Sequence, residues 1–185
     1  MTETIIDGHR IDVLFSAADI SARIATMAQE IAARRPTRLL VVPILKGSFI
    51  FAADLIRAMH GAGLSPEVDF MMLASYREAT RSSGQVDVVR DIESAVHGRD
   101  VLLVDDILES GRTLAFAKDL LTARGARSAM TAVLLNKPGH LAAHIAADFT
   151  GFTCPDLFVV GYGMDMANQF RELPFVGHVL SPGAD

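Results

Sequence analysis

The chain of 185 residues carries 17 basic and 22 acidic side chains, a net charge of −5, and half of its residues are hydrophobic. This composition excludes a disordered chain, and the length suits one domain over residues 1–185, burying about 70 % of its unfolded surface. The acidic balance gives no ground for a nucleic-acid partner, and the single cysteine, Cys154, excludes an internal disulfide framework and a multi-cysteine zinc site.

The first fifteen residues show no basic stretch followed by an apolar run, so no secretion signal is expected. The longest apolar runs, such as LLVVPIL at 39–45, reach about a third of the roughly 20 residues that span a membrane. A soluble cytoplasmic protein is the expectation.

Along the chain, short β-rich runs alternate with helical patterns, which predicts an α/β fold with a mainly parallel sheet flanked by helices. Over 16–35 the apolar residues Ile20, Ile24, Met27, Ala28 and Ile31 recur at helical spacing, with Ser16 as N-cap and Pro36 just past the end. RLLVVPIL (38–45) reads as a fully buried strand. A helix over 48–61 closes at Gly61, and VDFMMLASY (68–76) is a strand. Residues 77–85, REATRSSGQ, are polar with no apolar period and read as a mobile lid loop. VLLV (101–104) is the next strand, and a helix over 113–124 ends at Gly125. SAMTAVLLN (128–136) and DLFVVGYG (156–163) complete the predicted sheet, with AAHIAA (142–147) between them as a short helix. Residues 164–185 read as an irregular segment wrapping over the sheet edge. Cys154, before a proline, reads as a small core residue.

The chemistry concentrates in VLLVDDILESGRTL (101–114). In open α/β sheets, ligands bind beyond the carboxyl ends of the strands, and Asp105 and Asp106 stand at such an end. Glu109, Ser110, Gly111 and Thr113 follow, leading into a helix. Backbone N–H groups at a helix N-terminus, with hydroxyls and a glycine that admits close approach, make a phosphate cradle. The two carboxylates can accept hydrogen bonds from sugar hydroxyls or position Mg²⁺. A sugar phosphate satisfies both halves. Taken alone, the acidic pair reads equally well as a solvated strand end, and Ser-Gly-x-Thr as a plain helix cap. A phosphoacceptor receiver domain also pairs acids at a strand end, but there the pair closes the first strand, whereas about 100 residues precede it here. No Gly-Lys-Ser/Thr follows a glycine-rich turn, which excludes a P-loop.

This segment resembles the phosphoribosyl-pyrophosphate (PRPP) signature of type I phosphoribosyltransferases. Four further segments, in the family's order, narrow the resemblance to the hypoxanthine-guanine branch: ILKGSF, the Ser75-Tyr76 pair, LLNKPGH and PDLFVVGYGMDMANQFREL. The resemblance implies the type I fold, with a small hood formed by the N- and C-terminal segments. It implies transfer of the phosphoribosyl group from PRPP to a 6-oxopurine in purine salvage, with Mg²⁺ as cofactor, and a homo-dimer or homo-tetramer. By residue, Asp105, Asp106, Ile107, Leu108, Glu109, Ser110, Gly111, Arg112 and Thr113 match the PRPP-binding stretch, with Glu109 as the proton acceptor. Leu45, Lys46 and Gly47, in that family often a cis-peptide loop, match pyrophosphate contacts together with Arg171. Lys137, Phe158, Val159 and Asp165 match the purine site, where a lysine donates to the six-position oxygen. Asp105, Asp106 and Asp165 match metal-facing acids, and Ser75 and Tyr76 begin a loop that closes over the site and excludes water.

Three positions depart from the family pattern. Glu109 stands where aspartate is usual, moving the carboxylate by about 1 Å, a scale on which rates respond. Leu157 replaces a lysine and Met166 a tyrosine. Within the resemblance, a xanthine-preferring or other 6-oxopurine enzyme and an RNA-binding regulator of the same fold remain as alternatives.

Overall fold

The computed structural model describes residues 3–6, 8–75, 86–139 and 141–180. The lid expected at 77–85 and Tyr76 lie outside the described residues, as does the side chain of Ser75.

The main sheet is built from β3 (Leu40–Leu45), β4 (Glu67–Val68), β5 (Met71–Ser75), β6 (Val86–Arg90), β7 (Asp100–Leu108), β8 (Ser128–Asn136) and β9 (Phe149–Thr153), following a hairpin of β1 (Glu3–Ile6) and β2 (His9–Phe15). Its order is β6-β5-β3-β7-β8-β9, with β4 also paired to β3. Every pairing in it is parallel except that of β6 with β5. The alternation of side chains along a strand sorts the core into two layers. Val41, Leu102, Val104 and Leu134 face α1 (Ala17–Ala33) and α2 (Phe49–Gly61). Leu40, Val42, Val101, Leu103 and Val133 face α3 (Arg112–Ala123). Burial on both faces explains why these strands read as unbroken apolar runs.

Helix α1 begins where its sequence predicts. Ser16 and Asp19 form a reciprocal capping box, and Ile20, Ile24, Met27, Ala28 and Ile31 are all buried. Cys154 is buried, as expected of a core residue.

The C-terminal third differs from its sequence reading in three places. DLFVVGYG does not complete the main sheet: within it only β10 (Val159–Val160) is extended, and Gly161, Tyr162 and Gly163 all turn at positive φ (94°, 52° and 101°). The last parallel strand is instead β9, whose Gly151 would place a Cβ 2.4 Å from the Leu134 carbonyl oxygen. A mid-run glycine signals a loop in sequence, but here it lets two strands approach. Residues 142–147 do not form a helix: the Ala142 and Ala143 N–H groups donate to the Ser110 carbonyl (2.9 and 3.2 Å), and the Ile145 N–H donates to the Ala143 carbonyl (2.9 Å) in a tight turn. The expected hood is present as a four-stranded antiparallel sheet, β1-β2-β11-β10, in which β11 (Val176–Val179) comes from the segment read as irregular. Among the described residues no helix is long and apolar enough to cross a membrane.

At the end of the sheet away from the strand carboxyl termini, the buried Asp100 ties three segments. It accepts from the Thr37 N–H (2.6 Å), the Ser128 hydroxyl (2.7 Å) and the Arg127 guanidinium (Nε 2.8 Å). Above all, the Arg127 hydrogen bonds hold its carboxyl down at about 2. Because the folded-state value lies below the unfolded one, this stabilisation is full at neutral pH and is lost as the pH falls from about 4 through 2. Asp100→Asn is expected to cost about 1–3 kcal/mol at pH 7 in urea unfolding, with the difference from wild type closing as the pH approaches 2.

Candidate active site

Strands β3, β5, β7 and β8 end on the same side of the sheet, so Leu45, Leu108 and Asn136 bring their following loops together. Asp105 and Asp106 lie within the last turns of β7 rather than after it. Asp105 is buried and Asp106 half-buried, and the Asp106 N–H donates to Asp105 Oδ1 at 3.1 Å. Burial pushes both carboxyls above the usual range. At Asp105 the neighbouring Asp106 charge adds to that push, while at Asp106 hydrogen bonds and the Arg171 charge oppose it. The pair is therefore a buried acid site short of countercharge.

The loop after β7 turns at Gly111 (φ 75°) into the N-terminus of α3, with no side-chain cap there. The first N–H groups of such a helix have no intrahelical partner, and that of Arg112 donates to Ser110 Oγ at 3.4 Å; a helix N-terminus of this kind suits phosphate. Segment 141–147 buttresses the loop through the Ser110 carbonyl, and a Cβ on Gly111 would lie 2.6 Å from an Ile145 methyl. On the far side of the acids the Leu45–Lys46 peptide is cis, and Ser48 Oγ donates to the Ile44 carbonyl at 2.6 Å. A Cβ on Gly47 would sit 1.9 Å from Asp106 Oδ2, and one on Gly163 would sit 2.1 Å from the Gly47 carbonyl oxygen. The acid pair, the loop after β3 and the hood loop thus stack without clearance.

A cleft of about 390 Å³ is lined by Leu45, Lys46 and Gly47 and by residues 105–111 and Thr113, together with Ile44, Leu73 and Leu114. Arg112 does not line it. Beyond Glu109 a second cleft is lined by Lys137, Phe158, Val159 and Asp165 and shares Asp106, Ile107 and Glu109 with the first. Leu157 and Met164, which the sequence did not single out as ligand contacts, also line it. Phe158 is exposed, so it is a cleft wall rather than a core residue, whereas Val159 is buried in the hood strand. Lys137 follows β8 directly; its ammonium lies 2.8 Å from Glu109 Oε1 and 3.3 Å from Asp156 Oδ1.

Arg171 lines neither cleft. Its guanidinium donates to the Gly163 carbonyl (2.6 Å) and pairs with Asp165 (2.6 Å). Among the described residues no group of three or more His, Cys, Asp or Glu side chains is disposed to hold a metal ion. Asp105, Asp106 and Asp165 therefore do not form the single acid cluster expected, because Asp165 is turned to Arg171. Asp105 and Asp106 alone remain as oxygen ligands for a hard cation.

The family profile for the phosphoribosyl transferase domain matches residues 12–167, a range that holds every strand of the main sheet and all three helices. The chain belongs to the phosphoribosyltransferase family. It is 38 % identical over 175 residues to hypoxanthine phosphoribosyltransferase of Escherichia coli, covering 93 % of this chain and 97 % of that one. To the hypoxanthine-guanine phosphoribosyltransferase of Bacillus subtilis it is 41 % identical over 176 residues, covering 94 % and 96 %. The crystal structure of a Staphylococcus aureus hypoxanthine phosphoribosyltransferase superposes with a TM-score of 0.85 at 36 % identity, covering 91 % of each chain.

In this phosphoribosyltransferase the stacked glycines give a direct check on the site's assembly. Gly163→Ala adds a Cβ against the Gly47 carbonyl and forces alanine to φ 101°. It is expected to destabilise by about 1–3 kcal/mol, measured by denaturant unfolding. Faster hydrogen exchange should appear in both 45–48 and 161–165.

Proposed function

We propose that this protein is a hypoxanthine phosphoribosyltransferase of purine salvage, converting hypoxanthine and PRPP to IMP and pyrophosphate, with guanine as a second substrate. The observation that carries this reading is the Lys137–Glu109 pair, 2.8 Å apart on the wall of the second cleft. A 6-oxopurine presents two adjacent groups on one edge, the six-position oxygen and the five-ring N7. A lysine donor beside a carboxylate acceptor is complementary to that edge when N7 carries the proton. Adenine offers an amino group where the lysine needs an acceptor, and the site rejects it.

The reaction then follows from the placement of the residues. PRPP lies along the first cleft, its 5′-phosphate on the N–H groups of residues 109–113 and its ribose hydroxyls on Asp105 and Asp106. Leu45, Lys46 and Gly47 face the pyrophosphate, and Arg171 joins them on leaving Asp165. The purine stands against Phe158, whose exposed ring offers a stacking face, with Val159 at its pyrimidine edge. N9 attacks the anomeric carbon as the bond to pyrophosphate breaks, and the N7 proton passes to Glu109, leaving the nucleotide's base uncharged. Ser75 and Tyr76 begin the loop that excludes water from the cation-like sugar.

Asp105 and Asp106 would hold Mg²⁺. Mg²⁺ binds through one or two carboxylates and completes its shell with water and substrate oxygens, which suits an acid pair short of countercharge. Bound there, it supplies positive charge to the departing pyrophosphate. The protein acts in the cytoplasm, as a homo-dimer or homo-tetramer.

A substrate panel tests the reading: PRPP and Mg²⁺ with hypoxanthine, guanine, xanthine, adenine or uracil, following nucleotide formation. Turnover of hypoxanthine and guanine, abolished by chelation and absent with adenine, is the expected result. Xanthine outpacing hypoxanthine, or no nucleotide from any base, overturns it.

A second prediction addresses the proton acceptor. Glu109→Gln keeps the size and removes the basicity, and should lower kcat by on the order of 10²-fold. PRPP affinity, which depends on backbone N–H groups, should be nearly unchanged. Wild-type turnover by that variant would make Glu109 a loop residue only, and a matching loss of PRPP affinity would make it a loop support.

A further inference from the structure

The Lys137 ammonium has two carboxylate partners, and only one of them belongs to the cleft. Glu109 meets it from within, at 2.8 Å, and lines the cleft wall. Asp156 meets it at 3.3 Å from a position that is not part of that wall, with its side chain 62 % exposed against 9 % for Lys137. We propose that Asp156 is the positioning residue for Lys137, holding the ammonium at its station when Glu109 turns from it to the purine. This rests on the reading of Lys137 and Glu109 given above.

The local backbone keeps Asp156 in place for that task. It lies in the bend between β9 and β10, where the Cys154 N–H donates to the Asn136 carbonyl (2.8 Å) and the Leu157 N–H to the Pro155 carbonyl (2.8 Å). Asn136 immediately precedes Lys137, so the bend carrying Asp156 is tied to the strand end carrying the lysine. Lys137 itself is anchored by its own N–H to the Leu108 carbonyl (2.9 Å), one residue before Glu109. All three side chains are thereby fixed to neighbouring strand ends.

The charge balance shows why one carboxylate is not enough. A lysine ammonium has three donor directions. Asp156 and Glu109 take two, leaving one for the six-position oxygen of the base. Burial favours loss of the lysine proton, but the two carboxylates outweigh it and hold the group above its ordinary value. Were Glu109 the sole partner, donation to the base and acceptance of its proton would compete within one ion pair. A lysine stem of four rotatable bonds would follow the glutamate wherever it moved. With Asp156 outside the cleft, the ammonium keeps a partner that never touches the substrate, and the Glu109 carboxylate is freed to act.

Asp156→Asn and Asp156→Glu test this in steady-state kinetics, varying hypoxanthine at saturating PRPP and then the reverse. The asparagine variant should raise KM for hypoxanthine by about tenfold and leave KM for PRPP and the melting temperature at wild-type values. The glutamate variant should recover most of that loss, since the exposed side chain has room for one more methylene. An unchanged KM for hypoxanthine overturns the proposal, as does an equal rise for both substrates accompanied by a lower melting temperature. A second measurement needs no turnover: reductive methylation of Lys137, followed by mass spectrometry of its peptide, should run several-fold faster in Asp156→Asn. An unchanged rate also overturns the proposal. Absence of transferase activity in the wild type overturns the functional reading instead, and the methylation rate still decides whether Asp156 holds the lysine.

Discussion

Everything at the carboxyl end of the sheet depends on a stack with no room in it. The Asp106 carboxylate lies where a side chain on Gly47 would be, and the Gly47 carbonyl lies where a side chain on Gly163 would be. Three chain segments far apart in sequence can approach this closely only because two of them have no Cβ at the contact. The acid pair, the loop after β3 and the hood loop are consequently one rigid assembly. Arg171 completes it by reaching back to the Gly163 carbonyl, and the Tyr162 hydroxyl, bonded to Asp54, pins the hood loop to α2. The two clefts then share a wall, since Asp106, Ile107 and Glu109 border both.

The electrostatics of the ligand-free site follow from that confinement. Every cation given a role by the hood or by β8 is neutralised by an acid of the site: Lys137 by Glu109 and Asp156, Arg171 by Asp165. The exception on the acid side is the Asp105–Asp106 pair, which burial and mutual repulsion leave short of positive charge. On the reading proposed above, substrate binding is an exchange of partners, in which ion pairs internal to the protein give way to pairs with phosphate, metal and base and little uncompensated charge is buried.

The longer side chain of Glu109 belongs to the same picture. A glutamate at the lip of the phosphate loop reaches the Lys137 ammonium across the shared wall. Its backbone meanwhile remains in the loop that leads into α3. The departures at Leu157 and Met166 fall differently. Leu157 is on the wall of the base cleft, while Met166 packs among the hood hydrophobics. On the reading proposed above, only the former is placed to affect which base fits.

Much of this was legible in the order of residues. Helix α1, with its Ser16 cap, and the buried strands β3, β7 and β8 follow from local periodicity, which is a property of neighbouring residues and needs no fold to be read. The acid pair and the loop after it were equally plain to read, since Asp105 through Thr113 are contiguous and line one cleft together, Arg112 excepted. The tertiary structure decided what depends on partners distant in the chain. Residues 142–147 lie against the phosphate-type loop, with the Ala142 and Ala143 N–H groups on the Ser110 carbonyl, instead of forming a helix, and β9 is a strand because Leu134 offers it an edge that Gly151 can approach. The hood exists because β11 finds β2 across most of the chain. Asp165 faces Arg171 rather than the other two acids, and Asp156 stands behind Lys137. Such contacts leave no periodic trace in sequence, and only the folded chain brings these residues within bonding distance.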